Sequence, residues 1–225
     1  MVVKQEMRRK YLTIRDSLSE AEVNEKSRLI IKKLTALDIY QKADIILTYI
    51  DFRNEVLTTG LVAEILKQKE KRVFCPKVVT KMKDKSFIHL ELNAAQRRLM
   101  GVGREIAFYE IKALTELAAG YQGIREPVVK DGPAAIHPGD NSAVSINDFL
   151  DSESDNCLMI MPGVVFDGQR GRIGYGKGFY DRFLASYPKL KTVALAYEFQ
   201  IVSSVPKEDN DVCPDMILTE LRIIK

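Results

Sequence analysis

The sequence predicts a single-domain α/β fold with a mostly parallel sheet between helices, and three observations carry that prediction. Residues 44–50, DIILTYI, read as a strand, GLVAEILKQKE after them as a helix, and residues 72–75 as a second strand, the βαβ spacing of parallel neighbours. Apolar CLMIM at residues 157–161 reads as a buried strand that feeds a helix, FYDRFLASY, through a glycine-rich stretch. TVALAYE and MILTE then supply further strands near the C-terminus. At 225 residues the chain is long enough to bury one proper core.

In chain order, the first segment, KQEMRRKYLTIRDSL, places Lys4, Arg8 and Arg15 at spacings of four and seven. On a helix those three cations stack on one face, which suits a solvated surface or a polyphosphate. Ser19 and Glu22 form a capping box that opens a second helix running to about Leu37. After the first strand, Thr58 or Thr59 is placed to cap the next helix, and Pro76 to stop the strand begun at Arg72. FIHLEL alternates as a strand does, REIAFYEI reads as another, and AAQRRLMGVG between them suits a short helix or an excursion. Residues 130–145, rich in Pro and Gly, read as a mobile loop. No repeat, low-complexity tract or Pro/Ser-rich linker divides residues 1–225.

Met161 to Leu184, MPGVVFDGQRGRIGYGKGFYDRFL, holds six of the thirteen glycines together with Arg170, Arg172 and Lys177. A strand, a glycine-and-cation loop and a helix N-terminus together suit a phosphate, because backbone N–H groups and the helix dipole both favour an anion. Neither familiar nucleotide loop is met. Gly171 to Lys177 fits G-x-x-x-x-G-K, but Gly178 stands where Ser or Thr would hold magnesium. Phe179 likewise stands where the last glycine of G-x-G-x-x-G would be.

The net charge of +3 suits an anionic small molecule and falls short of a nucleic-acid binder. Cys75, Cys157 and Cys213 are scattered without a C-x-x-C, which supports neither a disulfide framework nor a zinc knuckle. No apolar run reaches membrane-spanning length, so a cytoplasmic protein without a membrane partner is expected. His89 and His137 build no Ser/His/Asp or Cys/His case. Asp209, Asp211 and Asp215 suit either an acidic surface loop or a site for Mg²⁺ or Ca²⁺, and Cys213 and Pro214 break the EF-hand pattern.

These segments together resemble the 5-formyltetrahydrofolate cyclo-ligase family, also called 5,10-methenyltetrahydrofolate synthetases, over nearly the whole chain. The most specific part is the glycine-rich stretch, similar to the family's loop ending in GKGYYD. The N-terminal K-x-x-x-R, NEV-x-T after the first strand, GIREP at Gly123 to Pro127 and the closing VP-x-x-x-x-D-x-x-x-D follow in the family's order. The resemblance implies a three-layer α/β/α architecture shared with ribose-5-phosphate isomerase and the sugar-phosphate deaminases. It also implies ATP- and Mg²⁺-dependent cyclisation of a reduced folate.

Carried over by position, Lys4 and Arg8 fall on the family's ATP-contacting pair. Arg172, Gly174, Tyr175, Gly176, Lys177, Gly178, Phe179 and Tyr180 fall on its nucleotide loop, with Lys177 and Arg172 the implied catalytic cations. Asp181 and Asp211 fall on magnesium positions, and Lys177 with Asp181, four apart, are expected to share a helix face. Glu55 falls on the folate-contacting glutamate, flanked by Ile50 and Phe52 as apolar contacts. Gln122 stands where the family has an aromatic, so either Tyr121, one place earlier, takes its role or the contact is lost. Residues 93–105 look like an insertion relative to the family, and Arg97, Arg98 and Arg104 suit either a solvated basic segment or a polyglutamate tail. The expected partner is therefore a small-molecule folate, and the expected state a monomer. The rivals are a non-catalytic folate-storage protein and a kinase or ligase that uses the same loop on another substrate.

Overall fold

The computed structural model describes residues 2–81, 103–129, 146 and 156–225. The chain begins with helices α1 (Val2–Asp16), α2 (Glu20–Thr35) and α3 (Asp38–Lys42), then enters β1 (Ile45–Thr48), α4 (Thr59–Gln68) and β2 (Arg72–Lys81). It continues through β3 (Gly103–Ile111), the β4 (Leu117–Ala119) and β5 (Arg125–Pro127) hairpin, and β6 (Cys157–Met161). The glycine-rich stretch contains β7 (Val165–Asp167) and β8 (Arg172–Ile173) and leads into α5 (Phe179–Ser186). Last come β9 (Lys191–Leu195), β10 (Ile201–Val202), β11 (Met216–Leu218) and β12 (Ile223–Ile224).

The main sheet has the order β12-β11-β9-β6-β1-β2-β3. Its interior pairs are parallel, and antiparallel β12 and β3 close the edges. The expected βαβ unit is β1–α4–β2. Alternation along the buried strands sorts side chains to two faces. Ile46, Leu158, Ile160, Val193 and Leu195 meet Ile30 and Leu34 of α2 and Val62 and Ile65 of α4. Leu47, Met159, Met161 and Ala194 point the other way, to Phe183 and Leu184 of α5. Helices therefore cover both faces of the sheet, with α5 packed on β3 through Tyr180 and Phe183 against Phe108.

Three local expectations change. Pro76 does not end its strand: β2 runs on to Lys81, pairing Pro76 with Phe108 of β3. The ladder to β1 stops at Phe74, so a residue without an N–H is tolerated there on the open side. The cap of α4 is not a threonine side chain. Thr58 sits at the N-cap, but its hydroxyl donates to the Tyr49 carbonyl at 2.7 Å. Asp51 Oδ1 instead accepts from the Thr58 and Thr59 backbone N–H groups, at 2.8 and 2.6 Å. The glycine-rich stretch is not one loop either, because β7 and β8 form a hairpin joined in parallel by β10. Asp167 closes it, accepting from the N–H groups of Gln169 and Gly171 and, on its other oxygen, from Val205. A Cβ at Gly171 would come within 2.7 Å of that carboxylate, which accounts for glycine there.

Ser19 and Glu22 form the expected capping box, with α2 ending at Thr35. REIAFYEI lies in β3. Cys75 and Cys157 are buried free thiols, and burial pushes the Cys75 thiol up to about 12. FIHLEL, both histidines, residues 130–145, Arg97, Arg98 and most of the expected 93–105 insertion lie outside the described residues. Its last part, residues 103–105, opens β3. No helix among the described residues is long and apolar enough to cross a membrane.

Candidate functional site

The site forms where α1, the loop after β1, the glycine-rich hairpin and the C-terminal loop before β11 meet. α1 contributes one face, and its three cations go to three different partners. Lys4 Nζ pairs with Asp211 at 2.5 Å and with Glu208 at 3.4 Å. Arg8 Nε donates to the Gly174 carbonyl at 2.7 Å. Arg15, only 1% exposed, donates to the Tyr175 hydroxyl and lies 3.7 Å from Glu55. The basic stripe is therefore the inner face of α1, clamped onto the glycine-rich segment and the C-terminal loop.

Glu55 is 6% exposed. Its Oε1 accepts from the Tyr175 hydroxyl at 2.7 Å and its Oε2 from the Phe52 N–H at 3.0 Å. Burial pushes the Glu55 carboxyl above its ordinary range, against the opposing pull of Arg15, Tyr175 and the Phe52 N–H. Burial alone would lower Arg15, but the Glu55 carboxylate and Tyr175 more than offset it, so the guanidinium stays charged. Tyr175 is raised by the same burial and by the negative charge of Glu55.

Arg172 is 7% exposed and donates to Asp181 Oδ1 at 2.7 Å, while its Nε is buried without a partner. The Val212 N–H reaches the same Asp181 oxygen at 3.3 Å, which sets the two acidic segments side by side. Lys177 is exposed and precedes α5, whose N-cap is Gly178 with φ +62°. The expected sharing of one helix face by Lys177 and Asp181 is thus corrected: Lys177 lies before the helix begins, and Arg172 takes the Asp181 carboxylate. Gly176 needs to be glycine for its φ of +86°, and its bare Cα also leaves room for the Arg8 guanidinium, which a Cβ would approach at 3.0 Å.

The other expected residues divide. Ile50 is 1% exposed and belongs to the core, so it offers no apolar surface to a ligand, contrary to expectation. Phe52 is half-buried beside Glu55. Tyr121 meets the Phe179 ring edge-on at 6.1 Å, with Arg104 stacked over it at 4.9 Å. Gln122 is exposed in the left-handed region at φ 56°, so Tyr121 is the side chain that reaches the glycine-rich segment. Tyr180 turns inward, its ring 6.3 Å from Phe108 and under the Arg172 guanidinium. Of the acidic trio, Asp209 is exposed, and Asp215 is spent on the Thr192 N–H and hydroxyl at 2.8 and 3.0 Å.

No group of three or more metal-binding side chains exists among the described residues. Asp181 and Asp211 each accept through one carboxylate oxygen in the bonds above, leaving the other for a ligand. A pair of such carboxylates fits Mg²⁺, which is commonly held by one or two carboxylates plus phosphate and water rather than by a protein cage. The cations Lys4, Arg8, Arg172 and Lys177, gathered on the glycine-rich segment and on the helix packed against it, fit a polyphosphate. Residue types alone did not reveal the burial of Arg15 or its link to Glu55, because the partner lies 40 residues away on another element. The spacing from Arg8 was the only signal.

The profile of the 5-formyltetrahydrofolate cyclo-ligase family matches residues 1–220. The mouse 5-formyltetrahydrofolate cyclo-ligase is 26% identical over 209 residues, covering 91% of this chain and 87% of its own. The solved structure of Aquifex aeolicus 5,10-methenyltetrahydrofolate synthetase is 30% identical, covers 98% of this chain and 91% of its own, and superposes with a TM-score of 0.69. A Mycoplasma pneumoniae 5,10-methenyltetrahydrofolate synthetase, 22% identical with a TM-score of 0.63, shares the fold over 96% of this chain and 98% of its own.

Proposed function

The chain belongs to the 5-formyltetrahydrofolate cyclo-ligase family, and from that membership and the site we propose that it converts 5-formyltetrahydrofolate, with ATP and Mg²⁺, to 5,10-methenyltetrahydrofolate, ADP and phosphate. The observation that carries the reading is the convergence of Lys4, Arg8 and Arg172 with Asp181 and Asp211 around the glycine-rich loop, directly beside Glu55. One half suits Mg·ATP and the other a folate, so two substrates can react across their boundary. We also assign the sheet, with helices on both faces, to the three-layer class of ribose-5-phosphate isomerase. A cytoplasmic monomer acting on folates with or without a polyglutamate tail completes the proposal.

The chemistry explains the need for ATP. A formamide oxygen is a poor leaving group, so it first takes the γ-phosphoryl group, giving an iminium phosphate and ADP. N10 of the folate then attacks that carbon and loses its proton, the ring closes, and phosphate leaves with the oxygen. Little covalent chemistry falls to the protein, whose contribution is positioning and charge neutralisation. Lys177, exposed and on a glycine-flanked segment, meets the transferring phosphoryl oxygens. Arg172, held by Asp181, adds its positive charge from beneath the loop. Lys4 and Arg8 hold the remaining phosphates, and Gly174, Gly176 and Gly178 let the backbone approach them. Mg²⁺ held by Asp181 and Asp211 would supply charge neutralisation at the phosphates. Glu55 accepts from the pterin N–H donors, and Tyr121 and Phe52 offer it apolar surface.

The test is to mix the protein with 5-formyltetrahydrofolate and Mg·ATP and follow the near-ultraviolet absorbance of the methenyl product. Product should form, and Lys177→Ala should slow turnover by about 10²–10³-fold, the usual cost of a group that stabilises transition-state charge, while folate still binds. Absence of product together with ADP release on another acceptor would favour the rival kinase or ligase.

A further inference from the structure

Three features of Tyr175 stand apart from an ordinary nucleotide contact. Its residue is 40% exposed, yet its hydroxyl is turned inward and held between Glu55 and Arg15. It is flanked by Gly174 and Gly176, and the latter carries the left-handed φ that lets a short segment pivot. Glu55, its acceptor, is 6% exposed, and its second oxygen is already taken by the Phe52 N–H.

Resting on the reading of Glu55 as the folate-contacting carboxylate, we infer that Tyr175 is the gate of that subsite. The tyrosine of the nucleotide loop occupies the carboxylate on which the pterin is to dock, and folate binding swings it out. Glu55 is reached from solvent only after something moves. Arg15 is fixed in a packed helix, Phe52 contributes backbone, and Tyr175 is the partner on a glycine-flanked segment with its ring already in solvent. Tyr175 therefore leaves while Arg15 remains as the counter-charge of Glu55.

The gate joins the two substrates mechanically. The segment that releases Glu55 is the one that lies between Gly174, bonded to Arg8, and Lys177, the phosphoryl contact. A pterin on Glu55 thus frees the loop to take up nucleotide, and a loop held by Tyr175 keeps the folate subsite closed. Tyr175 becomes a specificity-determining residue for the folate rather than only a nucleotide neighbour, since a ligand unable to replace its hydroxyl bond to Glu55 does not open the site.

Titration of 5-formyltetrahydrofolate into wild type and Tyr175→Phe, without nucleotide, tests the gate. The variant loses the bond that competes with the pterin, so its dissociation constant should fall by about tenfold, the scale of one hydrogen bond to a charged group. Hydrogen exchange on the wild type gives a reading that needs no variant: the amides of residues 174–177 should exchange faster when 5-formyltetrahydrofolate is bound. Equal or weaker binding by the variant, or slower or unchanged exchange, overturns the gate while the folate reading stands. Failure of the wild type to bind 5-formyltetrahydrofolate at all overturns both.

Discussion

At Glu55, burial raises the carboxyl pKa while Arg15, the Tyr175 hydroxyl and the Phe52 N–H lower it, and burial wins. The groups that act on it come from three segments: Arg15 from α1, the Phe52 N–H and Asp51 from the loop after β1, and Tyr175 from the glycine-rich segment. The sign then follows. A folded pKa above the ordinary value of 4.5 means that the folded protein holds this proton more tightly than the unfolded chain. The contribution of Glu55 to stability is complete below the unfolded value and is lost as pH rises through the folded one. Wild type should therefore lose ground against Glu55→Gln as pH is raised from about 4 to about 8, measured as the difference in urea midpoints. A wild-type advantage that grows with pH would mean that Arg15, not burial, dominates the site.

At the scale of elements, what repeats locally was legible and what depends on distant partners was not. The strands of the parallel interior are short apolar runs, and the capping box of α2 is written in consecutive residues, so periodicity and spacing found them. Pro76 misled because its tolerance depends on β1 ending at Phe74, a tertiary fact. The β7–β8 hairpin was hidden because Asp167, which organises it, looks in sequence like one more polar loop residue. Asp51 is hidden for the same reason, since in sequence Thr58 and Thr59 are the residues that stand at the capping position. Its carboxylate satisfies two amides that α4 would otherwise leave bare, at a helix N-terminus that also favours negative charge. Asp51→Ala should accordingly cost about 1–2 kcal/mol in urea unfolding, whereas Thr59→Ala, whose hydroxyl caps nothing in α4, should cost less. The reverse order would return the cap to threonine.

Across the whole molecule, the order of motifs made the family legible, while the geometry that makes them one site was not. Lys4 and Asp211 sit near opposite ends of the chain, and the 2.5 Å pair between them is what shuts the N-terminal helix onto the C-terminal loop. In sequence Lys4 belongs to a basic helix face and Asp211 to an acidic trio, and their direct contact is written in neither pattern. Their side chains are 13% and 23% exposed, so the pair should show a coupling of about 1 kcal/mol in a Lys4→Met and Asp211→Asn double-mutant cycle on stability without ligands. That result alone would describe a staple between the chain ends. The same Asp211 is also proposed to hold Mg²⁺, and a staple has no reason to respond to the metal. Asp211→Asn should therefore raise the Mg²⁺ concentration for half-maximal turnover by about tenfold, a loss within the range expected when a carboxylate partner of a bound metal is removed. Lys4→Met, which frees that carboxylate from its competing cation, should weaken ATP binding without raising the Mg²⁺ requirement. Identical Mg²⁺ dependence in wild type and Asp211→Asn would leave Lys4 and Asp211 as a clamp beside the nucleotide and remove Asp211 from the metal site.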